Sequence, residues 1–230
     1  STLVGTTGND GTAVGAFALK SNTGGSANVG VGVSALVNNT TSGGNVAIGW
    51  HACAAQTTAG NSVAVGYNAL ASNQTSTQNV AVGYAALKDN TAANNTSVGY
   101  YALNANTTGA NNTAVGKSAL TANTTGDKNT ALGTGAMLAN TTAEKNTAVG
   151  YEALSTNTTG AFNTAIGHWA LASVATTDGN TAVGYNALVY NTASSNTAVG
   201  HNALDANTTG TALAAVGYDA LTANTTGDNN

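Results

Sequence analysis

The sequence predicts an all-β fold, a parallel β-solenoid of about thirteen 17-residue coils, and three observations carry that prediction. A glycine closes each short apolar run, at Gly15, Gly32, Gly49, Gly66, Gly83, Gly99, Gly116, Gly133, Gly150, Gly167, Gly184, Gly200 and Gly217; of the twelve intervals, ten are 17 residues and two are 16. β-Branched and apolar residues alternate with a period of two just before each glycine, the period of a strand. An Ala-Leu pair then ends four residues after it, as in Ala119-Leu120 after Gly116. A short period held along a whole chain marks units that pack on their neighbours, because no single unit can bury its own apolar face.

Written from its first position, the unit is N-T-A-V-G-Y-x-A-L-x-x-N-T-T-G-x-x, seen almost intact over Asn112 to Lys128 and Asn146 to Phe162. Position two is Thr or Val in twelve of thirteen copies, and position four is Val, Ile or Leu in all of them. These two positions share one face of a short strand and are expected to point inward. Position three and the glycine share the other face. Position nine is Leu except at Cys53 and Met137, both acceptable as buried apolar residues, and position eight is always Ala. Positions eight and nine are expected to form a second strand. The glycine at position five permits a turn or a close approach, and Asn at position twelve suits a corner whose side chain bonds the backbone. Each coil is thus expected to have two strands and two turns. The two 16-residue units shorten the last turn, at Asn90-Thr91-Ala92-Ala93-Asn94 and Asn191-Thr192-Ala193-Ser194-Ser195.

Coils stacked at about 4.8 Å would make a rod on the order of 60 Å long, with like residues in ladders. Asn over Asn at positions one and twelve, and Thr over Thr at position two, would satisfy amides and hydroxyls along the axis. The chain reads as one array over 1–230, with a partial coil over 1–10 and full coils from 11 to 229. Its ends fall within the repeat without a visible cap, so it is expected to be a piece of a longer fibrous protein. So thin a core favours side-by-side association into a homo-oligomer. End-to-end filaments are a further expectation, since terminal coils present unpaired backbone edges.

Composition narrows the function. Lys and Arg number 5 against 9 Asp and Glu, a net charge of -4, with no basic stripe to track nucleic acid or an anionic membrane. No apolar run approaches the roughly 20 residues of a membrane span. Cys53 is the only cysteine, so no internal disulfide framework exists. The histidines are His51, His168 and His201, and the scattered acids, among them Asp89, Asp127 and Glu144 beside Lys88, Lys128 and Lys145, serve solubility. No nucleophile, base and acid recur together, so neither catalysis nor a cofactor or metal site is expected.

The runs N-S-V-A-V-G at Asn61 to Gly66 and N-V-A-I-G at Asn45 to Gly49 resemble the head repeats of YadA-like trimeric autotransporter adhesins. That resemblance implies a left-handed β-roll that trimerises. The longer unit N-T-A-V-G-Y-x-A-L-x-x-N-T-T-G is similar to repeats of phage tail fibres and of large bacterial surface proteins, which implies an attachment shaft on a virion or cell surface. The period here exceeds that of the adhesin head, so the cross-section must differ.

The candidate binding surface is position six, rich in aromatic rings: Trp50, Tyr67, Tyr84, Tyr100, Tyr151, His168, Tyr185, His201 and Tyr218. Such a column is expected either to stack on a cell-surface glycan or grip a protein receptor, or to seal contacts between chains. Ala16, Val33, Lys117 and Thr134 interrupt it. A rival reading is ice binding by the Thr columns at positions thirteen and fourteen, where the chain looks somewhat like plant ice-binding proteins built from N-x-V-x-G coils.

Overall fold

The computed structural model describes residues 10–230 of the chain. The partial coil expected over 1–10 therefore lies outside the described residues except at Asp10. The chain forms a parallel β-solenoid with one three-residue strand per coil and no helix among the described residues. It divides into two compact units, Ser1–Asn112 and Thr113–Asn230.

The first unit carries β1 (Thr12–Val14), β2 (Val29–Val31), β3 (Val46–Ile48), β4 (Val63–Val65), β5 (Val80–Val82) and β6 (Thr96–Val98). The second carries β7 (Thr113–Val115), β8 (Thr130–Leu132), β9 (Thr147–Val149), β10 (Thr164–Ile166), β11 (Thr181–Val183), β12 (Thr197–Val199) and β13 (Ala214–Val216). Within each unit successive strands pair in parallel and like positions stand opposite, as in Val63↔Val80 and Thr147↔Thr164. Register survives the short coils, with Val80↔Thr96 and Thr181↔Thr197. The corner absorbs the missing residue. In a full coil the Asn123 side-chain amide donates to the carbonyl three residues on, at Gly126, whereas Asn90 and Asn191 close on Ala92 and Ala193, two residues on.

The strand wall is inverted relative to the sequence expectation. Position three is buried, with Ala64, Ala114 and Ala165 fully so, while Ile48, Val115, Leu132 and Ile166 at position four are 37–40% exposed. The reason is the width of the coil. A β-carbon added at Gly30 would lie 3.1 Å from Leu19 Cγ, and the Ser97 hydroxyl donates at 2.7 Å to the Ala102 carbonyl across its own coil. Only Gly, Ala or Ser fits between the strand and the leucine opposite, so the branched side chains must face outward.

The second wall is not a strand. Leucine at position nine is fully buried, as expected, from Leu19 to Leu204, and only Leu221 of the last coil is exposed, but it sits in a series of turns with positive φ at positions seven and nine, for example Ser118 (57°) and Leu120 (52°). Left-handed backbone costs a non-glycine residue roughly 1–2 kcal/mol, comparable to the roughly 1.5–3 kcal/mol a buried leucine contributes. Hydrogen bonds offset the cost. Both left-handed residues bond to a neighbouring coil: Asn68 donates back to the Trp50 carbonyl (3.0 Å), and Leu70 donates forward to the Ala86 carbonyl (3.1 Å). Only glycine fits at position five. Gly116 has φ +137°, and a β-carbon there would meet the Gly133 carbonyl carbon at 2.6 Å.

Asparagine fills the remaining interior. At position twelve the amides link along the axis, Asn140 Nδ2 donating to Asn123 Oδ1 at 2.8 Å. At position one the link runs mainly through the backbone, with the Asn163 N–H donating to Asn146 Oδ1 (2.8 Å) while Asn146 Nδ2 donates to the Gly160 carbonyl (2.8 Å). Buried amides in so small a core need bonding partners, and the corner ladder lacks them at two oxygens. Gln56 Oε1 and Asn73 Oδ1 are buried without partners, where glutamine displaces the first ladder amide and the tight Asn90 corner withdraws the next.

Candidate functional site: the stacked aromatic columns

Position six follows the glycine that ends each strand, so its side chains leave the coil beside the outward valines of position four. In the first unit Trp50, Tyr67, Tyr84 and Tyr100 form a continuous stack, with ring centroids 4.6, 5.0 and 5.3 Å apart and planes within 20° of parallel. In the second unit Tyr151, His168, Tyr185, His201 and Tyr218 do the same at 5.0–5.2 Å. All nine predicted residues thus fall into two columns.

This geometry changes what the columns offer. Each interior ring covers its neighbour's face, leaving the edges and polar tips to solvent. Stacking on a sugar requires an open face, so the columns favour packing along an apolar edge. His168 and His201 are held apart by the Tyr185 ring between them, and His168 Nδ1 is buried without a hydrogen-bond partner.

Position seven adds rings that sequence reasoning passed over. His51 stacks on Trp50 at 3.5 Å, Tyr101 packs edge-on against Tyr100 at 4.5 Å, and Trp169 packs edge-on against His168 at 4.4 Å. The signal was present as aromatic residues directly following the column, hidden because position seven, Phe17 apart, is otherwise small or polar. Trp169 Nε1 donates to Glu152 Oε2 at 2.9 Å. Glu152 also raises the Tyr151 phenol above its ordinary value, first through a hydrogen bond that favours the protonated phenol, then through its charge, and least through desolvation.

The threonine columns differ from one another. At position thirteen the hydroxyl donates to the carbonyl one coil on, as in Thr141 to Thr158 at 3.1 Å and Thr208 to Thr225 at 2.9 Å. At position fourteen Thr41, Thr125, Thr142 and Thr159 are exposed. Among the described residues, no group of three His, Cys, Asp or Glu side chains is placed to hold a metal. The exposed ion pairs Lys88–Asp89 (3.4 Å) and Lys145–Glu144 (3.0 Å) join sequence neighbours and contribute about 0–1 kcal/mol each.

These features define a repeat protein of the parallel β-solenoid class. No known protein family, curated protein or solved structure matches the chain.

Proposed function

We propose that this chain is a structural and attachment segment of a fibrous surface or virion protein, assembled side by side as a homo-oligomer, with three chains the number implied by the repeat's resemblance to trimeric adhesins. The observation that supports this reading is the outward strand face. In each unit it presents position-four Val, Ile or Leu in register beside a stacked ring column. A strand that buries alanine and exposes valine keeps its largest apolar area for a neighbour. A second copy of the chain matches that area best, because it has the same spacing.

Light scattering on the folded protein across a concentration series tests the assembly. The expected result is three times the chain mass of 22.3 kDa; a particle of single-chain mass at every concentration would overturn it. Retention of chain-coated beads on glycan-bearing or cell-derived surfaces under flow tests attachment. A second reading, ice binding, draws on the exposed position-fourteen threonines; thermal hysteresis would favour it, and its absence is expected of a fibre segment.

A further inference from the structure

In the second unit the variable positions of three successive coils meet at one place. Position ten of three successive coils is Ser155, Ala172 and Val189, position eleven is Thr156, Ser173 and Tyr190, and position seven of the middle coil is Trp169. Tyr190 is the only aromatic residue at position eleven in thirteen copies. Large side chains at the rim and a small one in the middle leave a groove of about 260 Å³, lined by these residues and Glu152.

We propose that this groove binds a neutral sugar ring of an oligosaccharide. The assignment rests on the attachment reading above, whose ligand class it names. Its floor is apolar, since Ala172 and Val189 are nearly buried, and its rim holds Trp169 and the 61% exposed Tyr190. Apolar floor and aromatic rim suit the C–H face of a pyranose. Glu152 is held by the Trp169 N–H at Oε2, and its carboxylate lines the groove as the charged acceptor for sugar hydroxyls. The Ser155 and Thr156 hydroxyls donate to the Ala172 carbonyl at 3.2 and 2.7 Å, so their positions are set and their lone pairs accept.

Charge excludes the competing anions. The lining has one carboxylate and no Lys, Arg or His, on a chain of net charge -4, so phosphate and sulfate are repelled. A small organic cation would use the rings and the carboxylate, but it has no use for the hydroxyls of Ser155, Thr156 and Ser173. A polyhydroxylated ligand uses both sets.

The test is tryptophan emission in a Trp50→Phe background, where Trp169 is the sole tryptophan. Methyl glycosides of glucose, galactose, mannose and N-acetylglucosamine are the probes, with tetramethylammonium chloride as the cation control. A saturable change with at least one glycoside is expected, with its midpoint raised about tenfold, one well-made contact, in Tyr190→Ala and in Glu152→Gln. Tyr190→Phe and Ser173→Ala serve where a larger change disturbs folding, as judged by circular dichroism. The proposal is overturned if no glycoside saturates, if the midpoint is unmoved in the folded variants, or if only tetramethylammonium saturates. Bead retention keeps the two readings distinct. Beads held on glycan surfaces without any glycoside effect at Trp169 sink the groove alone, while a saturating glycoside with no bead retention sinks attachment alone.

Discussion

The two walls of each coil solve opposite problems. The strand wall is regular, three residues of ordinary β backbone, and buries little more than an alanine methyl. The turn wall uses left-handed backbone at two positions and buries the largest side chain of the coil, Leu120 in the coil that contains β7. Regular hydrogen bonding sets the stacking repeat, and the strained side fills the core. This division follows from the narrow cross-section: a flat strand brings its inner face too close to the opposite wall for a branched residue, whereas a series of turns leaves room for one leucine per coil.

Substitutions that attack this division should rank by wall. Gly116→Ala, at the junction, is expected to have the largest effect, because a β-carbon meets the Gly133 carbonyl carbon at 2.6 Å and the residue keeps φ +137°. Neither backbone can move without breaking register, so thermal melting of this variant should show lost cooperative folding or a drop beyond that of Leu120→Ala. The latter should cost about 2–5 kcal/mol, a fully buried leucine exchanged for a cavity. A smaller loss from Leu120→Ala than from any outward valine would refute the assignment of core to the turn wall.

The corner comes next. Asn123→Ala removes an amide that donates to the Gly126 carbonyl and accepts from Asn140, so urea unfolding should report a loss of about 1–3 kcal/mol. Asn73→Ala should cost less, because Asn73 Oδ1 already lacks a partner. Equal losses at the two corners would show that the ladder adds nothing beyond the local turn.

Cys53 examines the turn wall by pH. Burial alone pushes its thiol from the usual 9.0 up to about 12. In the unfolded chain the thiol ionises near its usual value, so its contribution is intact below pH 9 and is lost as pH climbs toward 12, at roughly 1 kcal/mol per pH unit. Stability of the parent should therefore fall more steeply over that window than stability of Cys53→Ala, and the native thiol should react with iodoacetamide only as the protein unfolds. Rapid labelling of the folded chain at pH 8 would place Cys53 outside the core.

The spacing of the glycines made the coil legible, and the β-branched residues before them made the strand legible, because both depend on backbone geometry that repeats. Leu at position nine and Asn at position twelve were also readable as core and corner. The facing of the strand was not. Alternation identifies two faces without saying which is inside, and the usual preference for burying valine over alanine points the wrong way when the opposing wall is only a side chain away. The turn wall was misread as a strand because leucine rarely takes positive φ, and the inter-coil bonds that stabilise it there have no local sequence signature. The nine ring residues were found as a column, but their mutual stacking, which hides the faces, depends on the coil repeat together with ring orientation. Trp169, Glu152 and Tyr190 went unnoticed because each looks like ordinary variation until three coils are laid side by side.

The smallest effect is expected on the outer strand face, and it sharpens the comparison most. Val115 is 38% exposed and points away from the alanine-lined interior. Val115→Thr keeps the branched shape that suits a strand and exchanges a methyl group that is already partly hydrated, so the single chain should change by less than about 0.5 kcal/mol. Ala114→Val, one residue earlier on the inner face, should cost about 1–3 kcal/mol by overpacking against the leucine opposite. Melting both at low chain concentration isolates the fold from any assembly. Repeating the series at high concentration then asks what lies outside: if copies of the chain cover the strand face, the gap between Val115→Thr and the parent must widen as concentration rises, whereas the gap for Ala114→Val stays fixed. A Val115→Thr gap independent of concentration would mean that the face remains in water, and the case for side-by-side assembly through it would fail.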